Sequence, residues 1–199
     1  MTRSPLYSRR SMLGLAAGTG VALATGSSAV FAQGATPDGG VDGTHPLHLI
    51  NSFMTRDWRG NFDNLDNGAI LVDVDGRCLH YWSEDQATYL IFPTSVPVSE
   101  DLTRRGRTSI IRKIVGPEWR PTPNMIRRNP DWPRYVGPGP ENPLGTHALY
   151  LSWEYYRIHG TNDTRKIGRQ ASNGCIGLYN DDVAVLFDLA KVGTQVLLI

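Results

Sequence analysis

The chain has 199 residues, 40% of them hydrophobic and 20% charged, with a formal net charge of +1. That length fits one domain with an extension, and the charge excludes the strongly basic face that nucleic-acid binding needs. Two cysteines, Cys78 and Cys175, exclude a disulfide-dense scaffold and a four-thiolate zinc site.

Residues 1–32 carry three arginines (Arg3, Arg9, Arg10) and no acidic residue. The Arg9-Arg10 pair, followed by Met12-Leu13, a small apolar run and Val30-Phe31-Ala32, reads as a cleavable signal peptide that resembles the twin-arginine (Tat) type, with an ordinary Sec signal carrying adjacent arginines as the alternative. Its glycines, threonines and serines make it too weakly apolar for a stable spanning anchor. Cleavage after Ala32 would leave a soluble chain of net charge −2 in an oxidising compartment. Residues 33–67, rich in Gly, Asp, Asn and Thr, read as a linker or N-terminal extension anchored by Phe53, Trp58 and Phe62. His45 and His48 within it are two potential ligands without a third, so no metal site is expected.

Strand character begins at Ala69. Ile70–Val74 and Arg77–Trp82 flank Asp75-Gly76, the signature of a hairpin with a type I′ turn. Cys78 lies in the second arm and reads as a half-buried structural thiol, with a Cys78–Cys175 disulfide as the alternative in an oxidising compartment. Thr88–Phe92 and Ser109–Val115 are further strands by their β-branched and aromatic content. Residues 116–143 then hold eight of the thirteen prolines. Proline lacks a backbone donor, so no central strand or long helix is expected there. Such a stretch is either a lid or binding loop, or is pinned to the core by Trp119, Met125, Trp132 and Tyr135. Strands return at Ala148–Leu151 and Tyr155–Ile158. Asn180 is placed to cap a helix with Asp181 and Asp182 in its first turn, apolar spacing at Val183, Leu186, Phe187 and Ala190, and Gly193 as its left-handed terminator. Thr194–Ile199 closes as a strand. The fold class is mainly β (α+β), with one clear C-terminal helix and a long Pro-rich loop.

One pair of segments can do chemistry. Ile158-His159-Gly160-Thr161-Asn162 is followed by Ser172-Asn173-Gly174-Cys175-Ile176, with His159 and Cys175 sixteen positions apart. A thiol nucleophile needs a base, and imidazole suits neutral pH. Gly174 lets successive backbone N–H groups point one way, toward a tetrahedral oxyanion. A buried structural cysteine and a structural strand-end histidine are the alternative from spacing alone.

These segments, with Asn142-Pro143-Leu144-Gly145, Ala148–Leu151 and Ile167-Gly168, resemble the catalytic domain of L,D-transpeptidases (the YkuD-like family). Thr122-Pro123 and Gly137–Pro140 are similar to its periplasmic, Gram-negative branch. The resemblance covers residues 68–199 and implies a β-sandwich-like domain that remodels peptidoglycan. It implies Cys175 as nucleophile and His159 as general base, oriented by a backbone carbonyl, with no metal or organic cofactor. It implies an oxyanion hole at Asn173, Gly174 and Cys175, and stem tetrapeptides as acyl donors. The acceptor would be an amine, such as a second stem peptide or a lipoprotein; water would make the enzyme an L,D-carboxypeptidase. Two positions depart from the family pattern: Asn173 stands where histidine is common, and Gly177 where arginine is usual. Arg169 is the candidate substitute for that arginine, and Ser172, Gly160 and Thr161 are further substrate-binding candidates. A non-catalytic wall-binding module is the rival that the departures permit.

Overall fold

A computed structural model describes residues 54–199. The expected signal peptide, most of the expected linker, Phe53 and the His45/His48 pair lie outside the described residues.

The apolar runs form strands where their β-branched and aromatic content demands it. Strands β1 (Ala69–Asp73), β2 (Cys78–Trp82) and β3 (Tyr89–Pro93) make an antiparallel meander. The short β4 (Val96–Pro97) and the long β5 (Gly106–Val115) follow. Helix α1 (Pro123–Arg128) interrupts the proline-rich stretch. Then come β6 (His147–Leu151), β7 (Arg157–His159), β8 (Gln170–Ser172), β9 (Ile176–Gly177), α2 (Asn180–Leu189) and β10 (Gln195–Leu198). Eight strands form one curled sheet in the order β3-β2-β1-β10-β5-β6-β7-β9, and β4 pairs with β8 apart from it. The last strand, β10, lies parallel to β1 and antiparallel to β5, so it joins the two halves of the sheet.

Alternate residues of a strand face opposite sides of its sheet. On β1, Ile70 and Val72 enter the main core beside Leu149, Ile158, Ile176 and Leu186, whereas Ala69 and Leu71 meet a second cluster with Phe62, Leu65 and Trp82. The segment before β1 therefore does more than link: it covers the outer face of β1, which is why all five residues of that strand are buried. Val183 and Leu186 of α2 insert into the main core, against the half of the sheet that carries β6 and β7.

Three local expectations are corrected. The β1–β2 hairpin forms, but its positive φ falls on Arg77 (54°) rather than on Asp75 and Gly76, so the turn is not type I′. The Asp73 carboxylate accepts from the Gly76 N–H at 2.7 Å and holds the loop in this alternative form. Gly193 does not end α2; the helix stops at Leu189, and Gly193 turns the chain into β10. Asn180 is the first residue of α2, not its cap: Tyr179 takes the cap position and makes no side-chain capping bond.

On β2, burial governs ionisation. Cys78 and His80 are fully buried, with Cys78 Sγ 3.3 Å from His80 Nε2 and His80 Nδ1 2.8 Å from the Tyr89 hydroxyl. Burial pushes the Cys78 thiol up to about 12 and the His80 imidazole down to about 4. His80 is thus neutral in the fold but titrates near 6.5 once exposed. Between those values the unfolded chain binds the extra proton, so stability is complete above about 6.5 and drains as pH falls toward 4. The expected loss is at most about 1.4 kcal/mol per pH unit for this group. Urea unfolding at pH 7 and pH 4.5 checks it, and His80→Gln is expected to flatten the dependence.

Candidate active site

Strands β7 and β9 run parallel in register, with Ile158 opposite Ile176. Both isoleucines are fully buried in the core. By alternation, Arg157, His159, Cys175 and Gly177 lie on the opposite face. Arg157, His159 and Cys175 there line one open cavity of about 470 Å³. His159, the last residue of β7, and Cys175, immediately before β9, sixteen positions apart in sequence, thereby line the same cavity.

Cys175 is half-buried, and its Sγ–H donates to the Tyr155 carbonyl at 3.3 Å. Burial raises its pKa; the Arg157 charge, with hydrogen bonds from the Arg157 backbone and side chain, works in the opposite direction. His159 Nδ1 lies 2.5 Å from the Gly160 carbonyl. A carbonyl only accepts, so Nδ1 carries the proton and Nε2 holds the lone pair. Burial holds this imidazole down at about 4, and the Arg157 and Lys166 charges act in the same sense. At neutral pH the resting pair is therefore thiol and neutral imidazole. Proton transfer has to accompany attack rather than precede it.

The loop before β9 is shaped by Ser172. Its Oγ donates to the Cys175 carbonyl at 2.5 Å and accepts from the Gly174 N–H at 3.3 Å. Gly174 has φ of 128°, a conformation that side-chain-bearing residues rarely adopt. The parallel β4–β8 ladder fixes Ser172 from outside, through Val98 N–H to its carbonyl at 3.0 Å. Thr161 is buried at the cavity, where its hydroxyl donates to the Asp163 carbonyl and accepts from the Asp163 N–H.

Both departures have local partners. Asn173 is exposed at the rim, and its Oδ1 accepts from the Arg128 guanidinium at 2.8 Å. Gly177 exchanges two backbone hydrogen bonds with Ser95, and a Cβ at 177 would come within 2.4 Å of Ser95 Oγ. The space where a side chain would begin is thus taken by Ser95. Arg169 does not fill the gap: it is exposed and lies outside the cavity lining. The cations that do line it are Arg120, Arg128, Arg157 and Lys166.

The proline-rich stretch forms one wall. Thr122 caps α1 by accepting from the Met125 N–H, with Pro123 at the first helical position. Trp119 and Val136 exchange backbone hydrogen bonds at 2.9 Å, and the Trp119 and Trp132 rings meet at 5.9 Å. Of the four expected anchors only Trp119 is buried; Tyr135 is exposed, and Met125 and Trp132, with Arg128, face the cavity. Arg157, which its residue type alone does not single out, also lines the cavity, and its two-residue spacing from His159 on a strand is what puts the two on one face.

Residues 67–198 match the model of the L,D-transpeptidase catalytic domain (YkuD) family. A Fuscovulum blasticum protein carrying the name L,D-transpeptidase in ATP synthase subunits region ORF 5 is 52% identical over 184 residues, 92% of each chain. The Escherichia coli (strain K12) L,D-transpeptidase ErfK/SrfK is 40% identical over 136 residues, 66% of this chain and 44% of that protein. This chain thus spans less than half the length of that relative. Among solved structures, L,D-transpeptidase 3 from Mycobacterium tuberculosis, carrying a faropenem-derived adduct, shares the fold, with a TM-score of 0.52 at 14% identity over 66% of this chain and 60% of that one. Among the described residues no helix is long and apolar enough to cross a membrane, and no group of three His, Cys, Asp or Glu residues is placed to hold a metal. A chain matched by this model along about two thirds of its length, and with its His and Cys segments at one cavity, belongs to the L,D-transpeptidase family, the acyltransferases that act on peptidoglycan stem peptides.

Proposed function

We propose that Cys175 is the nucleophile and His159 the general base of a peptidoglycan L,D-transpeptidase. The observation that carries this is the joint placement of Cys175, immediately before β9, and His159, the last residue of the adjacent β7, in the lining of one cavity, with the His159 lone pair on Nε2. Cys175 Sγ attacks the carbonyl carbon before the terminal D-Ala of a stem tetrapeptide, while its proton passes to His159 Nε2. The backbone N–H groups of Asn173, Gly174 and Cys175 receive the developing oxyanion; the long Gly174–Ser172 bond is one that a stronger acceptor replaces. Collapse expels D-Ala, which takes the proton from the imidazolium, and leaves a thioester. An amine then attacks, His159 removes its proton, and the thiol is regenerated. Water in place of the amine gives carboxypeptidase turnover. The Arg157 charge favours negative charge on Sγ as its proton departs and again when Sγ leaves as the thioester is broken. The cavity's cations, with Asp101, Glu141 and Glu154 also in its lining, suit a substrate bearing both carboxylate and ammonium groups. We place the enzyme in the periplasm, exported through residues 1–32.

The test is incubation of the protein with tetrapeptide stems and an amine acceptor such as a free D-amino acid. Released D-Ala together with an exchanged or crosslinked product supports the reading; intact tetrapeptide after long incubation contradicts it. Arg128→Ala removes the tie between α1 and the loop of the nucleophile. A hydrogen bond with a charged donor at an exposed site is worth about 1 kcal/mol, so KM is expected to rise about fivefold with kcat nearly unchanged. Steady-state kinetics check this.

A further inference from the structure

His159 serves as a base only while its proton stays on Nδ1. The Gly160 carbonyl enforces that state, yet rotation of the 160–161 peptide plane would swing the carbonyl away. In a trans peptide the C=O and the following N–H point to opposite sides of one plane. Whatever grips the Thr161 N–H therefore also aims the Gly160 carbonyl.

That grip belongs to Asn180. Its Oδ1 accepts from Thr161 N–H at 3.1 Å and from Thr146 N–H at 3.2 Å, and its Nδ2 donates to the Thr161 carbonyl at 3.0 Å. The position is built for this amide. A Cβ at Gly145 would stand 2.1 Å from Oδ1, and one at Gly160 would stand 2.2 Å from it, so only glycines leave the space. The base of the grip is firm, because α2 is nailed to the core by fully buried Val183 and Leu186. Asn180 is not among the residues lining the cavity, so it acts through the backbone and not on substrate.

We propose that Asn180 is a positioning residue: by holding the Thr161 N–H it fixes the Gly160 carbonyl and so selects the Nδ1-protonated tautomer of His159. This rests on His159 being the base. The test compares the parent chain with Asn180→Ala and Asn180→Asp. The readouts are the imidazole nitrogen shifts of His159, kcat and KM on a tetrapeptide stem, and the thermal melt. The parent holds Nδ1–H at pH 7. Asn180→Ala is expected to show mixed tautomers and a kcat lower by about 10- to 100-fold, with KM nearly unchanged. Asn180→Asp keeps an acceptor for Thr161, so the tautomer is retained, while its charge moves the acid limb of the rate profile upward. A purely structural role would lower the melt and leave the tautomer alone.

Folded Asn180→Ala with the parent's tautomer and kcat overturns the proposal. If Asn180→Ala does not fold, Asn180→Asp decides: a lost tautomer or an unmoved acid limb overturns it. Failure of the underlying function looks different, because the parent and Cys175→Ala are then equally inactive while the tautomer still follows residue 180.

Discussion

Replacing His159 by glutamine is expected to lower kcat by about 10³-fold, within the range that general-base catalysis supplies. Glutamine cannot accept the Sγ–H proton and return it to the leaving amine, so both halves of the exchange fail. The pH profile separates this loss from simple damage. In the parent, kcat/KM is expected to fall on acidification only near the depressed His159 value of about 4, well below the ordinary 6.5, because burial disfavours the imidazolium. In His159→Gln that acid limb is expected to vanish. The residual rate then rises with pH as the Cys175 thiol, itself raised by burial, ionises without help. A parent limb at the ordinary imidazole value, unchanged in the variant, contradicts the assignment.

Asn142→Ala is expected to have the largest effect on stability. Asn142 is fully buried where the proline-rich stretch rejoins the sheet. Its Nδ2 donates to the carbonyls of Pro117 at 2.7 Å, Gly137 at 2.9 Å and Val136 at 3.3 Å, and its Oδ1 accepts from Leu144 N–H at 2.8 Å. Prolines cannot supply donors, so one side chain closes both ends of the wall. Alanine leaves several buried carbonyls and one N–H without partners, at a cost of about 3–5 kcal/mol. Urea denaturation measures that loss. The cavity wall loosens with it, so kcat/KM should fall even at temperatures where the core stays folded. A loss under about 1 kcal/mol contradicts the pinning role.

Much of this was legible in the chain because the signals are local. β-Branched and aromatic runs at Ile70–Val74 and Ser109–Val115 become strands, and His159 and Cys175 mark the cavity through their residue types and the surrounding glycines. Errors arose where a side chain has two lawful uses. An asparagine ahead of two aspartates reads as a helix cap, yet the Asn180 amide turns back to two glycine-cleared backbone segments 19 and 34 positions upstream. Arg169 lies between base and nucleophile in sequence, but the chain there turns outward along β4. Asp75-Gly76 promised one turn, and the carboxylate of Asp73 imposed another. Gly177 looked like a lost clamp; its meaning is the close approach of Ser95, 82 positions earlier, which no local pattern announces.

The most direct measurement is the intact mass of the protein after exposure to a carbapenem, with the modified peptide mapped. One acyl adduct on the peptide containing Cys175, absent from Cys175→Ala and slowed in His159→Gln, is the predicted result. Undiminished tetrapeptide turnover in Cys175→Ala, or an adduct on Cys78 instead, would contradict the account.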